Sequence, residues 1–147
     1  MTPPAPALVL DTNVVLDWLV FRDPSCLALG AAIESGQVRW LAAEALRREC
    51  DTVLARGVGA ERAPDLGALA ETWQRLAVIH PAAPPAGGHP PCRCTDPDDQ
   101  KFIDLALHTG ARWLLSRDRA VLKLAGRARR AGLLILPPAR WALDPPT

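Results

Sequence analysis

The hydrophobic residues of the chain fall into short continuous runs that are separated by longer segments with helical spacing. Residues 7–10 read Ala-Leu-Val-Leu, which is typical of a strand buried on both faces of a parallel sheet. Similar runs at 38–41, 77–79, 112–115 and 133–136 predict further strands. Strands that alternate with helices predict a three-layer α/β/α fold with a central parallel sheet of four to five strands.

The segments between these runs carry apolar residues at the spacing of one helix face. Leu66, Leu69 and Trp73 show it, at positions i, i+3 and i+7. Glycines that follow the periodic stretches mark helix ends. The predicted helices cover residues 14–20, 26–34, 43–55, 61–76, 98–108 and 119–130.

Length and composition predict one domain in a reducing environment. The chain has 147 residues, the size of a single domain, and we expect it to span 1–147 with a Pro-rich tail at 1–6 and a Pro- and Gly-rich loop at 80–95. No apolar run is long enough for a membrane span, and the N-terminus does not resemble a signal peptide. The four cysteines are scattered, so a cytoplasmic location is expected. The net charge of +1 means that anion binding would need a local basic patch.

Two aspartates follow strands that we predict to be central in the sheet. Asp11 ends the first apolar run, and Asp118 comes shortly after the fourth. Because functional groups gather at the carboxyl ends of parallel strands, these side chains are expected to meet. The structural alternative is that each aspartate only caps the helix that follows it.

A third aspartate lies on the buried face of the helix predicted from residue 98. Asp99 falls on one line with Phe102, Ile103 and Ala106, in the first turn of that helix. Asp96 is the expected N-cap, with Asp99 at the third helical position. On its own, Asp99 could simply be an acid that favours the helix dipole.

The helix at 43–55 offers two acidic residues for the same site. Its apolar face includes Leu46 and Cys50, and Glu49 borders that face. Glu44 projects from the opposite side but lies closer to the strand end. We therefore predict Glu49 as the inward acid and keep Glu44 as the alternative.

Carboxylates brought together in this way need a cation or protons. Two unit charges about 4 Å apart repel by roughly 4 kcal/mol at an effective dielectric constant of 20. A site made only of oxygen ligands selects a hard ion, so Mg²⁺ or Mn²⁺ is the expected cofactor. Such an ion would activate water and stabilise charge on a phosphodiester. An Asp-x-Asp phosphatase is disfavoured because Asn13 takes the second position, and a dinucleotide enzyme because the first turn has no glycines.

Four motifs follow one another along the chain: Leu-Val-Leu-Asp-Thr-Asn at 8–13, Glu-x-x-x-Val-Leu at 49–54, Asp-Pro-Asp-Asp-Gln-Lys-Phe-Ile-Asp-Leu-Ala at 96–106 and Leu-Leu-Ser-Arg-Asp-Arg at 114–119. Together they resemble the PIN-domain family, and most of all its toxin-like branch from bacterial toxin–antitoxin systems. The resemblance implies a metal-dependent ribonuclease, an RNA substrate and a cognate antitoxin. The implied catalytic and metal-binding residues are Asp11, Glu49, Asp99 and Asp118, supported by Asn13, Ser116 and Asp96.

A basic stripe follows Asp118 on the predicted helix 119–130. Arg119, Lys123, Arg127 and Arg130 are spaced to lie on one face. They are candidates for contacting RNA phosphates, with an ordinary solvated face as the alternative.

The first predicted helix carries more apolar side chains than one face of the sheet can cover. The run from Val14 to Phe21 is apolar almost all round and needs cover on both sides. We predict that a homodimer covers it, with Trp18 or Phe21 near the interface, as the resemblance also implies; the alternative is a neighbouring helix of the same chain. The alternative function is a PIN-fold protein that binds RNA or a partner but has weak or no nuclease activity.

Overall fold

Five strands form one parallel sheet in the computed structural model, which describes residues 4–81 and 93–143. The strands are β1 (Ala7–Leu10), β2 (Arg39–Ala43), β3 (Ala77–His80), β4 (Trp113–Leu115) and β5 (Leu134–Leu136). Their order across the sheet is β3-β2-β1-β4-β5, and every pairing is parallel. The chain therefore builds the sheet outward from β1 in both directions. This places a crevice at the carboxyl ends of β1 and β4, where α/β sheets bind ligands.

Helices lie on both sides of this sheet, and the predicted α/β/α fold is confirmed. Seven α-helices are described: α1 (Thr12–Leu19), α2 (Leu27–Glu34), α3 (Glu44–Ala55), α4 (Leu66–Leu76), α5 (Gln100–Thr109), α6 (Arg119–Leu122) and α7 (Ala125–Arg130). Short 3₁₀ turns precede α2, α4 and α5, and another follows β5. None of the helices in the described part of the chain combines the length and the hydropathy that crossing a membrane requires.

The core is continuous across the sheet and covers α1 within the chain. The ring of Trp40 lies between those of Trp18 and Trp73, with centroids 5.3 and 4.4 Å away. A Cβ atom on Gly30 would collide with the Trp18 ring, so α2 approaches α1 closely. Trp18 is only 8% exposed as a result, while Phe21 is partly buried. The second cover for α1 comes from the same chain, and its packing gives no support to a dimer.

Two of the predicted helices are wrong in extent. The helix expected from residue 61 begins at Leu66, because Asp65 accepts a hydrogen bond from the Ala68 N–H and caps it there. The segment before it forms the short 3₁₀ turn Ala60–Arg62.

The helix expected over 119–130 is divided into α6 and α7. The Leu124 N–H bonds to the carbonyl of Val121, and the Ala128 N–H bonds to the carbonyl of Leu124. In this tightened turn, Val121, Leu124 and Ala128 are spaced three and then four residues apart. This spacing places all three on the side that faces the core, where they are buried. Leu122 and Ala125, in the same stretch, are only partly buried.

Segments at both ends and one internal segment lie outside the described residues. Most of the predicted Pro- and Gly-rich loop at 80–95 falls there, as do residues 1–3 of the predicted tail. The described edge of the loop includes His80, which ends β3.

Candidate metal centre

The site begins where β1 and β4 end side by side. Leu10 is paired with Leu115, so the next residues, Asp11 and Ser116, are neighbours at the edge of the sheet. Ser116 is fully buried, and its Oγ donates a hydrogen bond of 2.6 Å to Asp11 Oδ2. Asp11 stands at the N-cap position of α1, yet its carboxylate makes no capping hydrogen bond. The carboxylate of Asp11 is therefore directed to the site and not to the helix.

Ser116 also holds the backbone that carries Asp118. The Asp118 N–H donates to Ser116 Oγ at 3.0 Å. Asp118 Oδ1 accepts from the Ala120 N–H at 2.8 Å, so Asp118 caps α6. Capping uses one carboxylate oxygen through one lone pair, which leaves acceptor capacity for a cation. Asp118 is thus both a cap and a candidate ligand.

Asp96 and Asp99 reach the same place through a 3₁₀ turn, Pro97–Asp99, that precedes α5. The Asp96 carboxylate caps this turn by accepting from the Asp98 N–H at 3.0 Å, and the Asp96 carbonyl accepts from the Asp99 N–H at 3.1 Å. Asp99 is the third residue after the Asp96 cap, as predicted, but it belongs to the 3₁₀ turn and forms the N-cap position of α5. Ligand oxygens of Asp96, Asp99 and Asp118 all lie within 4.8 Å of one another.

Asp99 lacks a partner that a buried carboxylate oxygen would need. Its Oδ2 is buried and has no hydrogen-bond donor among the described residues. Burial, followed by repulsion from Asp11, Asp118 and Asp96, raises the pKa of Asp99 to about 7. A buried carboxylate oxygen without a donor, inside a cluster of carboxylates, is a position that a cation would stabilise. This observation fits a divalent cation site.

Asp11 shares the electrostatic field of the cluster. Burial raises the pKa of Asp11 above its ordinary value, and the charges of Glu49 and Asp118 act in the same direction. The hydroxyl of Ser116 and the nearby backbone N–H of Asn13 oppose this shift. The Asn13 side chain itself is exposed. The structure thus brings Asp11 together with the other acids, and Asn13 acts on it through the backbone.

Glu49 lies beside the cluster, held by two residues that sequence reasoning missed. The hydroxyl of Thr12 donates to Glu49 Oε2, and the ammonium of Lys101 donates to Oε1 at 2.7 Å. Thr12 belongs to the Asp-Thr-Asn motif, and Lys101 follows Asp99 by two residues, so both stood next to predicted site residues. Glu44 is exposed. It lines a separate cavity next to His80.

The donor set determines which ion the cluster can take. Asp96, Asp99 and Asp118 offer only carboxylate oxygens, with Asp11 nearby, and hard divalent ions prefer such ligands. Mg²⁺ and Mn²⁺ therefore fit the residues present.

Stabilisation by the cation should depend on pH. Because the pKa of Asp99 is raised from 3.8 to about 7, the metal-free protein should lose stability as pH rises between these values. Mn²⁺ binds the ionised carboxylates and competes with their protons. We expect the increase in Tm with Mn²⁺ to be small at pH 5 and larger at pH 8, measured by thermal denaturation.

The control for this measurement is Asp118→Asn, which removes one ligand. It should lose most of the Mn²⁺ increment at pH 8. Equal increments at both pH values, or an undiminished increment in the variant, would place the bound ion elsewhere.

The comparisons with known proteins agree with this architecture. The family model described as PIN domain matches residues 7–120, which include every acidic residue of the site. No curated protein matches the sequence. PIN domains are generally nucleases and typically use divalent metal ions. With β1, β4 and α5 delivering their acids to one crevice, and with the family model covering most of the chain, this protein belongs to the PIN-domain family.

Proposed function

We propose that this protein is a metal-dependent endoribonuclease that hydrolyses RNA phosphodiester bonds. The observation that carries the proposal is the buried, unpartnered Oδ2 of Asp99 within a cluster that includes Asp96 and Asp118. A structural cap or a surface acid would not leave a buried anionic oxygen unsatisfied, since that arrangement costs stability. A catalytic cation site explains the cost.

The acidic residues divide into metal ligands and supporting groups in this mechanism. Asp99 and Asp118 would hold Mg²⁺ or Mn²⁺, with Asp11 and Asp96 completing the anionic pocket. When bound, the ion lowers the pKa of water and stabilises negative charge on the phosphodiester. Ser116 keeps Asp11 and the backbone of Asp118 in register through its two hydrogen bonds.

Glu49 is assigned to orienting the attacking water or to binding the ion from its side of the crevice. Its carboxylate is fixed by Thr12 and by the half-buried ammonium of Lys101. A carboxylate held from two directions keeps its orientation when substrate enters, which is what positioning a nucleophile requires.

The experiment is a cleavage assay with purified protein and a labelled single-stranded RNA. Cleavage should require Mg²⁺ or Mn²⁺, should stop with EDTA, and should be lost in Asp118→Asn. A single-stranded DNA of the same sequence is the second substrate, and the proposal expects it to be cut more slowly. Binding of RNA without metal-dependent cleavage would favour the alternative, a PIN-fold RNA-binding protein.

The exposed basic stripe of Arg119, Lys123, Arg127 and Arg130 is our proposed RNA contact. It begins directly after Asp118, so a strand lying along it would pass the acidic cluster. Although the helix is divided, all four side chains remain exposed. We expect Lys123→Glu with Arg127→Glu to weaken RNA binding and to flatten its salt dependence by roughly one unit of slope per lost phosphate contact.

The measurement is the RNA dissociation constant across a series of salt concentrations. The matched control is Arg56→Glu with Arg140→Glu, which makes the same charge change at exposed arginines on other elements. If both pairs reduce the slope equally, the stripe has no special role.

A toxin role, a cognate antitoxin and a homodimer remain predictions of the family resemblance. A short reading frame for a DNA-binding protein next to the gene would support the antitoxin. Light scattering at micromolar concentration would test the homodimer, and a monomer mass would exclude it.

A further inference from the structure

An ion pair between the buried Asp17 and the half-exposed Arg117 joins α1 to the loop that carries two residues of the site. Asp17 lies in the middle of α1 with its side chain 7% exposed. Arg117 Nη2 donates to Asp17 Oδ1 at 3.1 Å, and Nε lies 2.8 Å from Oδ2 without an aligned hydrogen bond. Arg117 stands between Ser116 and Asp118 in the chain. The metal centre described above does not use this pair directly.

The pair gives the loop after β4 a second attachment to α1. The first attachment is the hydrogen bond from Ser116 to Asp11, the residue just before α1. Asp17 comes six residues after Asp11, which is about 9 Å along a helix. A loop that is bonded to α1 at one point can rotate about that point. Two contacts at separate positions along α1 fix the orientation of the loop as well as its position.

Asp17 is itself held firmly enough to serve as an anchor. Its backbone carbonyl accepts from the Asp23 N–H at 2.8 Å. Asp23 in turn caps the 3₁₀ turn Pro24–Cys26 through the N–H and the hydroxyl of Ser25. This turn packs against the 3₁₀ turn Pro138–Arg140. The carboxylate that receives Arg117 therefore sits in a well-connected part of the fold.

We propose that Asp17 and Arg117 are a positioning pair for the metal centre. They fix the loop so that the Asp118 carboxylate faces Asp99 at a distance that one cation can bridge. The inference rests on the proposed function only in naming the cation, since the geometry of the loop can be measured without it. Arg117 suits this role because its planar guanidinium engages both carboxylate oxygens, which lysine cannot do.

The test uses three variants and two readouts. Asp17→Asn with Arg117→Gln removes both charges, so no unpaired buried charge remains. Arg117→Lys keeps the charge but loses the two-point contact, and Arg129→Gln removes an exposed arginine of α7 as the control. The readouts are the affinity for Mn²⁺ by calorimetry and, without metal, amide hydrogen exchange at Asp118 and Ala120.

We expect the double variant to bind Mn²⁺ about tenfold more weakly, the scale for residues that orient metal ligands. Arg117→Lys should fall between it and wild type, and Arg129→Gln should match wild type. The N–H groups of Asp118 and Ala120, which bond to Ser116 Oγ and Asp118 Oδ1, should exchange faster in the double variant relative to the amides of β1.

Two outcomes would overturn the inference. If wild type binds Mn²⁺ and the double variant binds it equally well, the pair is structural only, even if its Tm falls. If wild type binds no Mn²⁺, the proposed function fails, and amide hydrogen exchange alone tests whether the pair positions the loop. Selectively faster exchange at Asp118 and Ala120 then supports the positioning pair, and unchanged relative rates refute it.

Discussion

Asp99→Asn is expected to reduce RNA cleavage by about 10²- to 10³-fold, the scale for losing one electrostatic group at an active site. The same variant should be more stable than wild type above pH 7 when no metal is present. The ionised Asp99 is desolvated and repelled by its neighbours, which is why its pKa is raised to about 7. Asparagine has the same shape without the charge, so it removes this unfavourable term.

Thermal denaturation tests two expectations: that the variant is more stable than wild type without metal, and that only wild type gains stability with Mn²⁺. Without metal, the stability difference between the variant and wild type should be small near pH 4 and should grow as pH rises to about 7. With Mn²⁺ at pH 8, wild type should gain stability and Asp99→Asn should not. A variant that is less stable than wild type at pH 8 without metal would mean that Asp99 is held by a favourable contact and not poised for a cation.

Glu49→Gln is expected to slow cleavage by about 10²- to 10³-fold, in the range for loss of a positioned acid–base group. The charge of Glu49 raises the pKa of Asp11, so the two carboxylates lie close enough to interact. Glu44→Gln is the matched control, because Glu44 lies on the same helix but is exposed. Its rate should remain near that of wild type.

Initial rates of RNA cleavage at saturating Mn²⁺ compare the two variants. Glu49→Gln also removes the ion pair with Lys101, so the Tm of each variant is needed to show that the fold is intact at the assay temperature. The reverse ranking of the two variants would show that the helix-face argument selected the wrong acid.

The features that periodicity controls were predictable from the sequence. β1 is buried on both faces, and an unbroken apolar run is the pattern of such a strand. That pattern also located Asp11 at a strand end. Asp99 ends the 3₁₀ turn before α5. Phe102, Ile103 and Ala106 are buried as predicted, so the predicted buried face of α5 is confirmed.

Features that depend on tertiary contacts were not predictable. The break between α6 and α7 follows from how Val121 and Leu124 pack against the core. Helix propensity carries no information about the shape of that core surface. The contacts of Glu49 with Thr12 and Lys101 join residues 37 and 52 positions apart. Nothing in their local sequence indicates such a pairing.

The apolar pattern of α1 predicts that both of its sides are buried, but it does not identify the element that buries the second side. Hydrophobicity shows that Trp18 must be buried but does not show by what. The chain supplies Trp40 from β2 and a close approach at Gly30 from α2. A residue with no side chain produces no hydrophobic signal, so this solution could not be read from the pattern.

Anomalous diffraction from crystals grown with Mn²⁺ tests the central claim most directly. The account predicts one strong peak in the crevice between the ends of β1 and β4, within bonding distance of carboxylate oxygens of Asp99 and Asp118. A peak that avoids both residues, or no peak at millimolar Mn²⁺ and pH 8, would contradict it.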